Sequence, residues 1–344
     1  MQMNTSKRRY VRIALTCVSW LGLLVSAPTV LATTLKIATV SPEGSSYMTL
    51  LREAGRAVES RTDGAVKIKF YPGGVMGDDK AVLRKMRIGQ LHGAVFTAGG
   101  LIQNYPDIAL YNMPMVFRDN DEIDFVRQTL DARLMDGMRE SGFVGFGLSE
   151  VGFAYPMTQI PATSVAQMRQ LKVWTPDNDI GSLRGFEAFQ IAPIPLPIAD
   201  VLAGLQTGLI DSLASPPIGT IALQWHTQLQ YGLDLPLLYI YGLMAMSNKA
   251  FDRLTPDVQQ ILKEEFGQAV RAADAASRRD HNSARAALGQ QGIEWLEPSA
   301  EERAEWLQLA ELACQRLIDS GYVSAQLYQE MLDLLQQYRD DSGQ

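Results

Sequence analysis

The sequence predicts an α/β protein of two domains, in which helices cover both faces of mainly parallel sheets. Segments that alternate like strands are followed along the chain by segments with helical spacing of apolar residues, and this order is typical of parallel sheets. The chain has 344 residues, which is more than one hydrophobic core usually serves, so two domains are expected.

The first 32 residues have the features of a cleaved secretory signal. Lys7 and Arg12 belong to a basic start, residues 13–25 form a short apolar run, and residues 30–32 offer small side chains to a peptidase. The run is too short to favour the alternative, an uncleaved membrane anchor. We therefore expect the mature chain, from about residue 33, to work in the periplasm.

The composition argues against nucleic acid as a partner. The full chain has 31 Lys and Arg against 38 Asp and Glu, a formal net charge of −7. Four of the basic residues and none of the acidic ones lie in the first 32 positions. The remaining chain is thus more acidic still, and a phosphate backbone would be repelled rather than attracted.

The chain lacks the residue patterns expected of an enzyme or a metal site. The mature part has His92, His226 and His281, which show no metal-ligand spacing with each other or with Cys314. Cys314 is predicted to fill space in a helix, and with Cys17 in the signal no disulfide is expected within the mature chain. Asp211 is assigned a structural role. We therefore predict no catalytic residue, no metal and no cofactor.

The first α/β unit is predicted from alternation and helical spacing in turn. Leu35, Ile37 and their neighbours alternate like a strand, and the turn at 41–44 leads into a helix that begins near Ser45 or Ser46. Further elements follow in the same order. They are a strand at 66–71, a helix around Val82 and Met86, a strand at 93–96, a helix with apolar positions Ile123, Val126, Leu130, Leu134 and Met138, and extended segments at 143–148 and 152–155.

The alternation then starts again and ends in helices. Thr255 and Pro256 can cap a helix whose apolar pattern continues towards Gly289, a length exceptional for a globular domain. Residues Ser299 to Glu302 form a capping-box signature for the next helix. The predicted elements are strands at 171–174, 210–214 and 238–247, and helices at 180–189, 201–205, from 256 towards 289, from 299 and at 325–338.

Short segments spread over nearly the whole mature chain carry a family resemblance. They occur in the expected order at 35–38, 42–45, 70–77, 88–92, 113–118, 171–173, 175–176, 205–211 and 254–256. Together they resemble the DctP family, the extracytoplasmic substrate-binding subunits of tripartite ATP-independent periplasmic (TRAP) transporters. The agreement of many segments in one order is far more specific than any single motif.

The resemblance implies a fold and partners. The fold is a two-domain periplasmic binding protein, type II-like, with hinge strands and a long helix spanning both domains. Domain I is expected at 33–156 plus about 243–285, and domain II at 157–242 plus about 286–344. The expected partners are a small-molecule ligand and the small and large TRAP membrane subunits, whereas the oligomeric state is left open.

The chain departs from the family where the ligand is expected. Trp174 stands where the family carries the arginine that pairs with a carboxylate, and Leu213, Ala214 and Ser215 replace polar residues. An enclosed carboxylate without its arginine loses about 1.5–3 kcal/mol of charge-assisted hydrogen bonding. An indole can instead bury roughly 150–250 Å² against a ligand. We therefore predict a hydrophobic or amphipathic ligand.

Alternatives to this prediction remain open. Trp174 could fill core while a relocated cation, with Arg184 as the best candidate, binds a keto, mono- or dicarboxylic acid. A secreted sensory or interaction protein could also use this fold. The candidate ligand-binding residues are Trp174, Leu213, Ser215, Phe153, Tyr155, Tyr47, Trp225 and Met244.

Overall fold

The computed structural model describes residues 32–177 and 179–343. The predicted signal segment 1–32 lies outside the described residues except for its last position. Within these described stretches, no helix is both long and apolar enough to span a membrane.

Strands and helices alternate through most of the described chain, as predicted. The strands are β1 (Thr33–Ala38), β2 (Val66–Tyr71), β3 (Gly93–Thr97), β4 (Phe143–Thr158), β5 (Trp174–Pro176), β6 (Ile194–Leu196), β7 (Ser212–Ser215), β8 (Tyr231–Leu233), β9 (Leu238–Ser247) and β10 (Glu294–Leu296). The helices are α1 (Ser46–Arg61), α2 (Asp79–Arg87), α3 (Asn120–Glu140), α4 (Val165–Met168), α5 (Ile180–Ala188), α6 (Val201–Thr207), α7 (Pro217–Ala222), α8 (Asn248–Phe251), α9 (Pro256–Gln290), α10 (Ala300–Asp319) and α11 (Ala325–Ser342).

The main sheet is mixed rather than mainly parallel. Its strand order is β10-β8-β4-β9-β3-β1-β2, with β7 also paired to β4, while β5 and β6 form a separate parallel pair. Strand β1 runs parallel to β2 and β3, because helical crossovers connect them. Strand β9 lies between β3 and β4 and is antiparallel to both. The mixed character thus comes from β4 and β9, the two longest strands.

Strand β4 belongs to both halves of the fold. Its residues 143–154 pair with β9, whereas residues 155–158 pair with β7 and β8. Register shifts interrupt the pairing with β9, and Gly147 and Gly152 lie at these points with φ values of +123° and +113°. Glycine adopts this backbone region without the strain that a side chain would cause. The strand can therefore bend as it passes from one half to the other.

Helix α9 also connects the two halves. It has 35 residues and packs against α1 of the first half, against β4 and against α7 of the second half. The predicted long helix and hinge strand are therefore both present in a two-domain fold. The residue boundaries of the two domains stay a prediction.

The predicted helix faces form the core. In α1 the side chains Met48, Leu51, Ala54 and Val58 are buried, and the predicted apolar positions of α3 are buried as well. The capping box of Ser299 is present, since its hydroxyl accepts from the backbone N–H of Glu302 and the Glu302 carboxylate accepts in return.

Two strands of the second half begin later than predicted. Strand β5 starts at Trp174 and β7 at Ser212, whereas Val173 makes only an isolated bridge to Ser212. The backbone N–H of Lys172 donates instead to the Asp211 carboxylate at 2.7 Å. This side-chain bond replaces a strand partner and gives Asp211 the structural role assigned from the sequence.

Candidate ligand-binding site

A cavity of about 940 Å³ lies between the two halves of the fold. This volume is in the range of sites that enclose a small molecule, roughly 300–1,000 Å³. The first half contributes the loop after β1, the start of α2 and the end of β3, and the second half contributes β5, α5, β7 and α7. A ligand in this cavity would touch both halves, so its binding can be coupled to their closure.

Five of the eight residues singled out from the sequence line the cavity: Tyr47, Trp174, Leu213, Ser215 and Trp225. Four of them, all except Tyr47, belong to the second half. Trp174 is 6% exposed and meets the ring of Trp225 edge to face, with ring centroids 5.3 Å apart. The two indoles hold each other in place, and together they give this wall a large apolar surface.

The other three predicted residues lie away from the cavity wall. Phe153 packs against Tyr239 with ring centroids 5.6 Å apart, and Tyr155 packs against Trp295 at 5.4 Å. Met244 is fully buried on β9 opposite β3. They sit on β4 and β9, strands with neighbours on both sides, and their side chains are used in the core instead of facing the cavity.

The indole of Trp174 is fixed by a hydrogen bond as well as by packing. Its Nε1–H donates to the backbone carbonyl of Leu196 at 3.0 Å. Leu196 ends strand β6, which pairs with β5, so the bond joins neighbouring strands across the small sheet. The carbon atoms of the ring are what this residue can offer to a ligand.

Polar groups on the wall include several hydroxyls. Burial raises the pKa of Tyr47 to about 12, so its phenol stays neutral at physiological pH. Thr175 and Ser212 are each 1% exposed, and the Oγ atom of each has no hydrogen-bond partner in the described chain. Buried hydroxyls are normally paired, because an unpaired one costs free energy. These two residues are therefore candidates for hydrogen bonds to a ligand.

The charged residues on the cavity wall were not predicted from the sequence. The described lining contains one basic residue, Arg84 on α2. It also contains the acidic residues Asp78, Asp79, Glu150, Asp177, Asp179 and Asp280. The matching segment 70–77 noted from the sequence ends at Gly77, immediately before Asp78 and Asp79. The sequence signal that could have identified Asp78 and Asp79 is their position after a glycine-rich loop and at the start of a helix.

Asp79 is the most unusual of these carboxylates. Its Oδ2 accepts from the hydroxyl of Thr97 at 2.7 Å and from the Thr97 backbone N–H at 3.3 Å. Burial raises the pKa of Asp79 to about 6 despite these bonds. The carboxylate is pressed against Gly100, where an added Cβ would stand 2.1 Å from Oδ2. Only glycine at that position lets the backbone approach so closely.

The substitute cation considered from the sequence lies elsewhere. Arg184 is on α5 but does not line the cavity, and its Nη1 donates to the backbone carbonyl of Ser320 at 3.4 Å. His226 is also away from the wall, 3.4 Å from the backbone carbonyl of Thr220. Among the described residues, no group of three or more His, Cys, Asp or Glu side chains could hold a metal ion.

The chain is similar in sequence to several known proteins. The family profile described as "Bacterial extracellular solute-binding protein, family 7" (DctP) matches residues 37–320. The 2,3-diketo-L-gulonate-binding periplasmic protein of Escherichia coli (strain K12) is 28% identical over 212 residues, which cover 60% of this chain and 63% of that protein. The C4-dicarboxylate-binding periplasmic protein of Rhodobacter capsulatus is 24% identical over 255 residues, 72% of this chain and 75% of that protein.

A solved structure has the same fold. The sugar acid binding protein from Advenella mimigardefordensis in complex with galactonate superposes with a TM-score of 0.81 at 18% identity, covering 89% of this chain and 98% of that chain. At this identity the likeness establishes the fold alone. The two-domain fold is therefore shared with a protein whose structure was solved in complex with galactonate.

Proposed function

Because the chain belongs to the DctP family of bacterial extracellular solute-binding proteins, we propose that it captures a hydrophobic or amphipathic small molecule in the cavity between its two halves. The family consists of the solute-binding subunits of TRAP transporters, and the chain is accordingly a binding protein and not an enzyme. In this proposal the loaded protein delivers its ligand to the small and large membrane subunits from the periplasm.

The observation that carries the proposal is the wall around Trp174. Where the family resemblance leads us to expect an arginine, the structure has an indole whose Nε1–H is already bound to Leu196. Trp225 and Leu213 extend the same apolar wall. A carboxylate enclosed here would give up its hydration without gaining a cation at this place, at a cost of several kcal/mol. An apolar group would gain about 25 cal/mol for each Å² removed from water.

A second candidate function is the binding of an organic acid. Two observations favour it: the related proteins are named for acids, and Arg84 lines the cavity from the first half. Arg84 would then take the role of the relocated cation. Its side chain is exposed, however, and an exposed ion pair contributes only about 0–1 kcal/mol. This candidate therefore ranks below the apolar ligand.

Binding of a neutral apolar probe tests the proposal directly. We expect N-phenyl-1-naphthylamine to bind the mature protein saturably at one site, with increased fluorescence. Trp174→Ala should weaken this binding at least tenfold, because it removes the apolar wall. Trp295→Ala is the matched control, since Trp295 does not line the cavity.

Competition separates the two candidates. Neutral apolar compounds should displace the probe, whereas galactonate and C4-dicarboxylates should not. Saturable micromolar binding of such an acid, lost in an Arg84→Gln variant, would replace the first candidate by the second. Mass spectrometry of a solvent extract from protein purified from cells would identify a retained ligand.

A further inference from the structure

The charged residues on the cavity wall are mostly acidic. Six carboxylates and one guanidinium belong to the described lining residues. Some of these carboxylates have partners within the protein. Glu150 pairs with Arg278 at 2.9 Å, Asp78 accepts from the backbone N–H of Ala81, and Asp179 caps α5 through Ser182. Such contacts account for Glu150 as part of an internal ion pair and for the two aspartates as helix caps.

Asp79 lacks a comparable partner for one of its two carboxylate oxygens. Both bonds from Thr97 go to Oδ2, so Oδ1 has no hydrogen-bond donor among the described residues. No Lys, Arg or His in the described chain forms an ion pair with this carboxylate, in contrast to Glu150. Asp79 is half-buried at the cavity wall, and a carboxylate that loses part of its hydration is stabilised by a cationic or hydrogen-bonding partner. Here the cavity is the side from which such a partner can come.

A second observation points to a polar group in the ligand. Thr175 and Ser212 line the same cavity, and their buried hydroxyls are unpaired in the described chain. The bridge between Val173 and Ser212 places Ser212 beside β5, and Thr175 follows Val173 by two residues. Side chains two residues apart share a strand face, so the bridge at Val173 places both hydroxyls on the same side of this segment.

Carboxylates of the two halves also meet at one turn. An added Cβ at Gly99 would lie 3.2 Å from Cγ of Asp179, while one at the next residue, Gly100, would reach Asp79. Asp79 starts α2 in the first half and Asp179 precedes α5 in the second. A cationic group at this turn would be attracted by both halves at once, which favours the closed arrangement.

We propose that the ligand carries a protonated amine on an apolar body, with the ammonium group at Asp79 and the apolar body against Trp174 and Trp225. This inference rests on the proposed function and specifies the chemical class of the ligand as an alkyl- or arylammonium compound. The ammonium N–H groups donate to Oδ1 of Asp79, and the hydroxyls of Thr175 and Ser212 provide further acceptors. The acidic wall disfavours the matching carboxylate.

A series with one apolar body and three head groups tests the inference at pH 7.5. Hexylamine, 1-hexanol and heptanoate share a six-carbon chain and are compared as competitors of bound N-phenyl-1-naphthylamine. We expect the ammonium compound to compete at least tenfold more strongly than the alcohol, and the acid to be the weakest. Asp79→Asn keeps the shape of the side chain and should bring hexylamine to the level of hexanol.

The possible outcomes are distinguishable. The exposed Asp341 provides a control variant, Asp341→Asn, with the same change in net charge and an expected unchanged preference. If the probe itself fails to bind, the proposed function fails. If the probe binds but hexanol or heptanoate competes as well as hexylamine, or hexylamine does not compete, the ammonium assignment is overturned. Equal effects of the two aspartate variants would also overturn it.

Discussion

The indole Nε1 of Trp174 lies 3.0 Å from the backbone carbonyl oxygen of Leu196, to which it donates a hydrogen bond. The only polar atom of the ring is therefore engaged within the protein. Trp225 supports the same ring from another side. A position where we expected a charged contact from the family resemblance thus holds a fixed apolar ring, and its role in stability can be separated from its proposed role in binding.

Substitution of Trp174 should affect stability through two separable contributions. We expect Trp174→Phe to lower the free energy of unfolding by about 1–3 kcal/mol, because the carbonyl of the half-buried Leu196 loses its donor. Trp174→Ala should cost about 3–5 kcal/mol, since it also leaves a cavity. Urea unfolding of the ligand-free protein, followed by circular dichroism, measures both values.

Trp295 supplies the control for this prediction. Its Nε1 has no hydrogen-bond partner in the described chain, so Trp295→Phe removes ring area without breaking such a bond. A loss for Trp174→Phe no greater than for Trp295→Phe would contradict the importance of the bond to Leu196.

A buried ion pair should anchor the C-terminal helix. Arg339 on α11 contacts Glu122 on α3, with Nε 2.7 Å from Oε1 and Nη2 3.0 Å from Oε2, and Glu122 is fully buried. Glu122 also accepts from the backbone N–H of Arg118 at 2.8 Å, but the Arg118 guanidinium is exposed and lies 3.9 Å away. Arg339→Met removes the two shorter charged contacts of a buried carboxylate, so it should destabilise the protein by up to about 3–5 kcal/mol.

Thermal or urea unfolding checks this value against two further variants. Arg316→Met is the control, because Arg316 is exposed on α10. The double variant Arg339→Met with Glu122→Gln should regain part of the lost stability. No regain in the double variant, or an equal effect at Arg316, would argue against the ion pair.

The thiol of Cys314 should be unreactive in the folded protein. Burial raises the pKa of Cys314 to about 11, and its S–H donates to the backbone carbonyl of Pro114 at 3.5 Å. The reactive species is the thiolate, which is scarce at pH 8 under these conditions. We expect Ellman's reagent to label protein that begins at residue 33 at least 100-fold more slowly before than after unfolding in urea. Fast labelling of the native protein would show that this helix opens readily.

The sequence predicted the fold more completely than the cavity wall. Periodicity identified α1 and α3, whose predicted apolar faces are buried, and the capping box at Ser299. These signals are local, because each depends on a few neighbouring residues. The strands that start at Trp174 and Ser212 begin three and two residues later than predicted, since the side chain of Asp211 takes the place of a strand partner for the N–H of Lys172.

The cavity wall depends on contacts between distant parts of the chain. An aromatic residue on a long strand can face the cavity or the core, and periodicity cannot distinguish these, which is why Tyr155 was included and lies outside the wall. Asp79 was missed for the related reason that a carboxylate in the first turn of a helix usually serves the helix dipole. Its approach to Thr97 and Gly100 is visible only in the folded chain.

The raised pKa of Asp79 predicts that ionisation of this carboxylate lowers the free energy of unfolding in a pH-dependent way. Burial raises the pKa from 3.8 to about 6 in the folded protein, so the fold binds this proton more tightly than the unfolded chain does. Ionisation therefore destabilises the ligand-free protein above pH 6, and the cost disappears as the pH falls from 6 towards 4. Asp79→Asn should raise the free energy of unfolding at pH 7.5 by up to about 3 kcal/mol, at roughly 1.4 kcal/mol per pH unit.

Paired urea titrations at pH 7.5 and pH 4 isolate this contribution, because the difference between variant and wild type cancels the other titrating groups. We expect a large difference at pH 7.5 and little at pH 4, whereas Asp341→Asn should show little at either pH. A variant less stable than the wild type at pH 7.5 would mean that the ionised carboxylate has a partner in the free protein. If Asp79→Asn instead stabilises the protein at pH 7.5, the ionised carboxylate lowers the stability of the ligand-free protein. This is expected for a charged group whose partner is part of the ligand.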